Sequence, residues 1–224
     1  MKRHAFSTRI WHWLNALSVI VLFMSGLNIS NAHPYLYWGA WGFDPRDAWA
    51  QITRFPGWAT IPNYYNLAAA RDWHVLFAWV FSLGLLFFLL AALLNRHLRR
   101  DVVPARAEWK AAAIWADFRA HLRFDFDSHE GKYNILQKLT YTVLLFVLLP
   151  LMIFSGMALS PALNAAWPFL LDVFGGRQSA RSIHFIVAWM VMAFLILHVV
   201  LVLLHRPLTN LRDMITGGPS NEAA

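Results

Sequence analysis

Four long apolar stretches constrain the fold of this 224-residue chain more than any other feature. They lie at about residues 10–29, 72–94, 136–159 and 182–204, and almost no charged side chain interrupts them. A helix rises about 1.5 Å per residue, so about 20 apolar residues cross a bilayer core of roughly 30 Å. The sequence therefore predicts an all-α fold, a transmembrane four-helix bundle that forms a single membrane domain over residues 1–224.

The basic residues are distributed unequally between the connecting segments. They concentrate before the first stretch, between the second and third, and after the fourth. The opposite loops hold only Arg46, Arg54, Arg71, Arg177 and Arg181. Cytoplasmic loops of membrane proteins carry the excess of Lys and Arg, so both termini and the loop at 95–133 are predicted to be cytoplasmic. The same asymmetry explains the net charge of +7 without a nucleic-acid partner.

The segments outside the apolar stretches differ in character. The outer loop at 30–71 is rich in Trp and Tyr, which is typical of a segment on the membrane surface and also of a docking surface for a partner. In the cytoplasmic loop, "RAEWKAAAIWADFRAHL" predicts a short helix. Ser179 or Ser182 is suited to cap the fourth helix. The tail at about 216–224 is predicted to be disordered.

Two internal matches indicate a duplicated helical hairpin. The second stretch opens with "ARDWHVLFAW" (70–79) and the fourth with "ARSIHFIVAW" (180–189), while the first and third end with "SGLNIS" (25–30) and "SGMALS" (155–160). Each match pairs helices that run in the same direction, which fits two halves related by an axis near the membrane normal. The matches place His74 and His184 at equivalent depths near the outer face.

The histidines in the apolar stretches fall into two levels. His184 and His198 share one helix face, because their spacing advances the helix by about 21 Å and nearly closes a whole number of turns. His12 lies at the depth of His198, and His74 at the depth of His184. Two levels with two histidines each, from different helices, suit two bis-histidine haems. The alternative is a polar seam in which the histidines hydrogen-bond between helices.

Cysteine is absent from the chain, which narrows the cofactor chemistry. Its absence excludes iron–sulfur clusters held by this chain, thiolate-ligated haem and covalently attached haem. Zinc is disfavoured because no metalloprotease-like histidine motif occurs and the four histidines divide between two membrane faces. His205 is a competing ligand for the cytoplasmic level. The other histidines, including His33, have solvated surface as their default interpretation.

Arg9, Arg71 and Arg181 each precede a predicted haem ligand by three residues. On a helix this spacing places guanidinium and imidazole side by side. Each arginine is therefore a candidate contact for a haem propionate. The alternative is that they anchor the helix ends to lipid headgroups.

The segment "GKYNILQKLTY" (131–141) opens the third stretch with a polar cluster. Asn134, Gln137 and Lys138 share a helix face, and Tyr133 is adjacent. These side chains can supply hydrogen bonds and a proton route to a quinone headgroup beside the His12/His198 level. The alternative is interfacial capping, with Lys138 extending its ammonium group to the water boundary.

The motifs "STRIWHWLNALSVIVLFMSGL", "RDWHVLFAW", "GKYNILQKLTY" and "RSIHFIVAWMVMAFLILHVVLVLL" resemble the prokaryotic dihaem cytochrome b561 superfamily. The similarity covers all four stretches and is closest to cytochrome b subunits of formate dehydrogenase (gamma), nickel–iron hydrogenase and thiosulfate reductase. It implies a bacterial inner-membrane anchor with two haem b groups, at His12/His198 and at His74/His184, and a quinone site at Asn134, Gln137 and Lys138. The outer loop and "GGRQSARSIHF" resemble members associated with periplasmic molybdopterin oxidoreductases.

The resemblance implies a subunit that relays electrons between a periplasmic redox partner and ubiquinone or menaquinone. One alternative is a stand-alone b561-type superoxide:quinone oxidoreductase, against which the large outer loop argues. Another is a transporter without redox activity, whose histidines relay protons. The predicted site geometry serves quinone reduction and quinol oxidation equally well.

Overall fold

The structure is a computed structural model that describes residues 6–94, 110–122, 135–204 and 207–218. Long apolar helices make up most of it. Within these ranges, four helices are long and apolar enough to cross a membrane, as predicted. In chain order the helices are α1 (Phe6–Ser30), α2 (Leu67–Leu94), α3 (Ala111–Leu122), α4 (Ile135–Val143), α5 (Leu149–Leu159), α6 (Pro161–Ala166), α7 (Phe169–Val173), α8 (Arg177–Leu204) and α9 (Pro207–Thr216).

The third span is continuous but irregular. A π-helical turn at Leu144–Leu148 joins α4 to α5, and Pro150 lies in the first turn of α5. Proline has no backbone N–H, and its ring collides with the carbonyl four residues earlier. A local π-helical turn widens the helix and accommodates that collision.

The spans pack as two helical hairpins. α1 lies against α2, and α5 lies against α8. Contacts between the hairpins come mainly from large apolar side chains, which form one cluster that includes Phe81, Phe88, Leu149 and Val187. Within the first hairpin, Trp11 of α1 stacks on Phe88 of α2 at 4.2 Å between ring centroids. The hairpins therefore meet through side chains more than through close approach of their backbones.

The helices start earlier than the apolar stretches do. α2 begins at Leu67, where Asn66 caps it by accepting a hydrogen bond from the Ala69 N–H through its side-chain oxygen (3.0 Å). α8 begins at Arg177. The apolar pattern marks the hydrocarbon core, whereas the helices continue through one or two polar turns beyond it. Arg71 and Arg181 therefore lie inside helices.

The loop between α1 and α2 adds a feature that the all-α prediction lacked. Strands β1 (Tyr35–Leu36) and β2 (Ala50–Gln51) form an antiparallel pair. The Gly39 carbonyl between them accepts hydrogen bonds from the backbone N–H groups of Gln178 and Ser179, at 3.0 and 3.1 Å. It thereby satisfies N–H groups that the first turn of a helix leaves unpaired. The long loop itself caps α8.

Ser179 and Ser182 form hydrogen bonds with this loop from positions inside α8. The prediction that one of them caps α8 is therefore wrong. Ser179 Oγ accepts a hydrogen bond from the Gly39 N–H at 2.7 Å. Ser182 Oγ donates to the Tyr37 carbonyl at 2.6 Å and accepts from Trp49 Nε1 at 2.9 Å. Both serines lie inside the first turns of α8, which begins two residues before Ser179.

The two ends of the bundle have different partners. We call the end that carries residues 31–66 the loop end, and the end that carries Phe6 and Gly218 the tail end. At the tail end α9 lies against α1, where Trp13 Nε1 donates to the Met214 carbonyl at 3.3 Å. The tail predicted to be disordered, at about 216–224, begins at Thr216, which is the last residue of α9. Residues 219–224 of that tail lie outside the described residues.

Candidate haem-binding site

At the loop end, α2 and α8 bring His74 and His184 together. The ring centroids are 6.2 Å apart and the ring planes are inclined by 62°. One histidine comes from each hairpin, at the equivalent positions that the internal sequence match identified. The imidazoles face each other across the interior of the bundle.

At the tail end, His12 of α1 and His198 of α8 form a second pair with nearly the same geometry. Their ring centroids are 6.3 Å apart and their planes are inclined by 60°. Phe194 stacks on His198 at 5.9 Å, and Tyr141 of α4 meets Phe194 edge-on at 6.4 Å. An aromatic path therefore connects α4 to the tail-end pair.

The spacing of both pairs fits a metal bound between the two rings. A bond from metal to imidazole nitrogen is about 2.1 Å, and with two such bonds the ring centroids lie roughly 6 Å apart. Two axial imidazoles from facing helices are also the donor set of a bis-histidine haem iron. The residues present therefore fit one haem at each level.

A serine and a glycine support each loop-end histidine. Ser25 Oγ lies 3.0 Å from His74 Nδ1, and Ser155 Oγ lies 2.9 Å from His184 Nδ1. A Cβ added to the adjacent Gly26 would lie 3.5 Å from His74 Cε1. These contacts give a physical reason for the "SG" that both hairpins share. The sequence showed the repeat, but it did not show that each Ser-Gly pair contacts a histidine of the next span.

Cationic side chains cluster beside the loop-end pair. Burial, followed by the positive charges of Arg181 and Arg71, lowers the pKa of His33 below its ordinary value. Arg181 donates to the neutral Gln178 Oε1 at 2.7 Å. Across the described ranges, neither Arg71 nor Arg181 forms an ion pair with a carboxylate. Such a cluster suits an anionic group such as a propionate, and His33, first assigned to solvated surface, belongs to it.

Arg9 has a different environment at the tail end. Its guanidinium donates a hydrogen bond to the Ile215 carbonyl at the end of α9. Basic side chains commonly satisfy the last carbonyls of a helix in this way. Arg9 Nε is buried and finds no hydrogen-bond partner in the part of the chain that the structure describes. The propionate contact of Arg9 stays a prediction.

The predicted quinone residues are only partly within the described structure. Gln137 and Lys138 lie half-buried on α4, whereas Tyr133 and Asn134 fall outside the described residues, as does the competing ligand His205. Tyr141, one helical turn after Gln137, begins the aromatic path to His198. A cleft of about 270 Å³ next to this path has a largely apolar lining, made by Leu139, Thr140, Val143, Leu144, Leu148 and Phe194.

Comparison with known proteins places the chain among membrane cytochromes. The family described as prokaryotic cytochrome b561 matches residues 3–217. The chain is 28% identical over 196 residues to a protein of Azospira oryzae named "Putative protein-methionine-sulfoxide reductase subunit YedZ1", covering 88% of this chain and 87% of that protein. It is 26% identical over 202 residues to the "Probable Ni/Fe-hydrogenase B-type cytochrome subunit" of Cupriavidus necator, covering 85% and 74%. No solved structure matches the chain.

Proposed function

The chain belongs to the prokaryotic cytochrome b561 family, and from that premise we propose that it relays electrons between a periplasmic redox protein and the membrane quinone pool. Its family and relatives make it a haem-binding b-type cytochrome subunit of an oxidoreductase, built from transmembrane helices. The finer proposal is a dihaem protein, with one haem b between His74 and His184 and one between His12 and His198. The observation that carries it is the near-identical geometry of the two pairs, at 6.2 and 6.3 Å.

The protein's own residues have distinct tasks in this scheme. A haem b supplies reversible one-electron oxidation and reduction of iron. His12, His74, His184 and His198 would hold the two haem irons, two histidines to each iron, and would leave no coordination site for a substrate. Arg71 and Arg181 offer positive charge to propionates at the loop end. The apolar cluster around Phe81 and Val187 keeps water away from the interior between the two levels.

The loop end is proposed to face the periplasm and to receive the redox partner. The excess of Lys and Arg in the opposite segments supports this orientation. Both relatives carry names of subunits within larger redox enzymes, which supports a partner protein. The resemblance of the outer loop and the "GGRQSARSIHF" turn favours a molybdopterin oxidoreductase as that partner. The cell location that follows is the bacterial inner membrane, with both termini cytoplasmic.

The tail end is proposed to bind ubiquinone or menaquinone. Gln137 and Lys138, with Tyr133 and Asn134 beside them in sequence, supply hydrogen-bond donors and acceptors for the headgroup. The aromatic path through Tyr141 and Phe194 places this turn of α4 next to His198. The adjacent apolar cleft suits an isoprenoid tail.

The test is purification from native membranes, followed by haem quantification and identification of co-purifying proteins. We expect two haem b groups per chain and a periplasmic redox protein. His198→Ala should lose one haem and keep the other, because only the tail-end pair is broken. His129→Ala makes the same change at a histidine outside the four apolar stretches of the sequence, so it is the matched control and should keep both.

Other outcomes would contradict specific parts of the proposal. A protein without the absorption of reduced haem b would exclude electron relay and favour a proton-relaying transporter. Full haem content in His198→Ala would remove His198 from the ligand set. A chain that purifies alone and reduces quinone with superoxide would exclude the protein partner and identify a stand-alone oxidoreductase.

A further inference from the structure

The hydrogen bonds of Ser25 and Ser155 bear on which nitrogen of each loop-end histidine carries the proton. Ser25 Oγ donates to the Val21 carbonyl at 2.7 Å, and Ser155 Oγ donates to the Leu151 carbonyl at 2.6 Å. A serine hydroxyl has a single proton to donate. With that proton given to the backbone, each Oγ can only accept from the histidine Nδ1–H.

This arrangement prepares both histidines as ligands before any metal is bound. An imidazole protonated on Nδ1 has its lone pair on Nε2, the nitrogen farther from the backbone. Both serines are fully buried, so water cannot easily replace the hydroxyl as the acceptor. A neutral ring that donates through its other nitrogen is also a more basic metal ligand. More basic ligands favour the more positively charged, oxidised iron.

The tail-end pair lacks this support at one of its two rings. His12 Nδ1 is buried and has no hydrogen-bond partner among the residues that the structure describes. We infer that Ser25 and Ser155 are positioning residues, which fix His74 and His184 as Nε2 ligands and lower the midpoint potential of the haem at the loop end. This inference rests on the proposed function, since it requires a haem between these two histidines.

The size of the effect follows from removal of one hydrogen bond. Ser155→Ala should change the ratio of oxidised to reduced loop-end haem, at a given potential, by up to about tenfold. A tenfold change corresponds to about 59 mV for a one-electron couple. The shift should be positive, because the ligand becomes less basic. Ser25→Ala should act on the same haem, and the double variant should shift it further.

The experiment is a redox titration of the purified, haem-loaded chain, in which each haem is followed by its spectrum. The tail-end haem serves as an internal reference and should keep its potential in Ser25→Ala and Ser155→Ala. Ser18→Ala is the matched control, because Ser18 is equally buried in α1 and donates to the Leu14 carbonyl at 2.8 Å. Within the described ranges it forms no hydrogen bond with a histidine. It should leave both potentials unchanged.

Several results would overturn the inference. Unchanged potentials in both alanine variants, or an equal shift in Ser18→Ala, would show that the hydroxyls do not act through the histidines. If Ser155→Ala loses the loop-end haem, Ser155→Thr tests whether the hydroxyl is the cause, because threonine keeps the hydroxyl. Recovery of the haem in Ser155→Thr supports the inference, and equal loss contradicts it. A wild-type chain without haem would instead contradict the proposed function itself.

Discussion

Alanine substitutions at Gly26 and Gly156 should differ in their effect on stability, although the two glycines are equivalent in the repeat. A Cβ at Gly156 would lie 3.3 Å from His184 Cε1, whereas at Gly26 the corresponding distance to His74 Cε1 is 3.5 Å. Carbon atoms pack best at about 3.5–4.0 Å. The Gly26 side has room for the methyl group, whereas on the Gly156 side the His184 ring must shift by a few tenths of an ångström.

The magnitudes follow from two opposing contributions to the free energy of unfolding. Replacing a helical glycine by alanine stabilises by about 0.5–1 kcal/mol. Overpacking a buried site costs about 1–3 kcal/mol, and the His184 ring cannot shift freely because Ser155 Oγ holds its Nδ1 at 2.9 Å. Gly26→Ala should therefore be more stable than wild type by about 0.5–1 kcal/mol. Gly156→Ala should range from neutral to about 2.5 kcal/mol less stable.

Thermal unfolding of the detergent-solubilised protein measures this difference, with haem content determined in parallel. For a chain of this size, 1 kcal/mol corresponds to about 2–4 °C in Tm. Gly84→Ala is the control, since its Cβ would meet the flexible Leu14 side chain at 3.4 Å and no histidine. It should behave like Gly26→Ala. Equal Tm values for Gly26→Ala and Gly156→Ala, or a more stable Gly156→Ala, would refute the packing argument.

Two further substitutions test the proposed ends of the electron path. Gln137→Ala should weaken quinone binding by up to about tenfold, through loss of a hydrogen bond, with haem content unchanged. Gln51→Ala is its control, because it makes the same change at an exposed residue of strand β2. Identical quinone kinetics in the two variants would remove Gln137 from the site. His33→Gln should flatten the pH dependence of the loop-end midpoint potential. Because the pKa of His33 is lowered, His33 is neutral at pH 7 and gains its proton only below pH 6.5, where the added positive charge raises the potential. An unaltered pH profile would separate His33 from the loop-end site.

The sequence predicted the features that depend on local periodicity. The length of the apolar stretches predicted four spans, and the 3.6-residue helical repeat placed His184 and His198 on one face of α8. The duplication in the sequence placed His74 level with His184, and the structure brings these two rings to 6.2 Å. Each of these inferences needs only the geometry of a single helix or the comparison of two helices.

Features that depend on contacts between distant segments were not predictable in the same way. Ser25 contacts a histidine 49 residues away, and nothing in the local sequence specifies that partner. The cap of α8 is the Gly39 carbonyl, which carries no sequence signal. The strands β1 and β2 are two residues long, too short for an alternating pattern. His33 acquires its neighbours, Arg71 and Arg181, from two different helices.

The division of each histidine pair between the two hairpins bears on how the protein assembles. His12 and His74 belong to the first hairpin, and His184 and His198 belong to the second. Within each hairpin, a serine of one helix contacts the loop-end histidine of the other helix. Under the proposed function, association of the two hairpins would be coupled to haem binding. If haem binds between the two hairpins as proposed, separately expressed fragments, cut between α2 and α4, should recombine when haem is supplied.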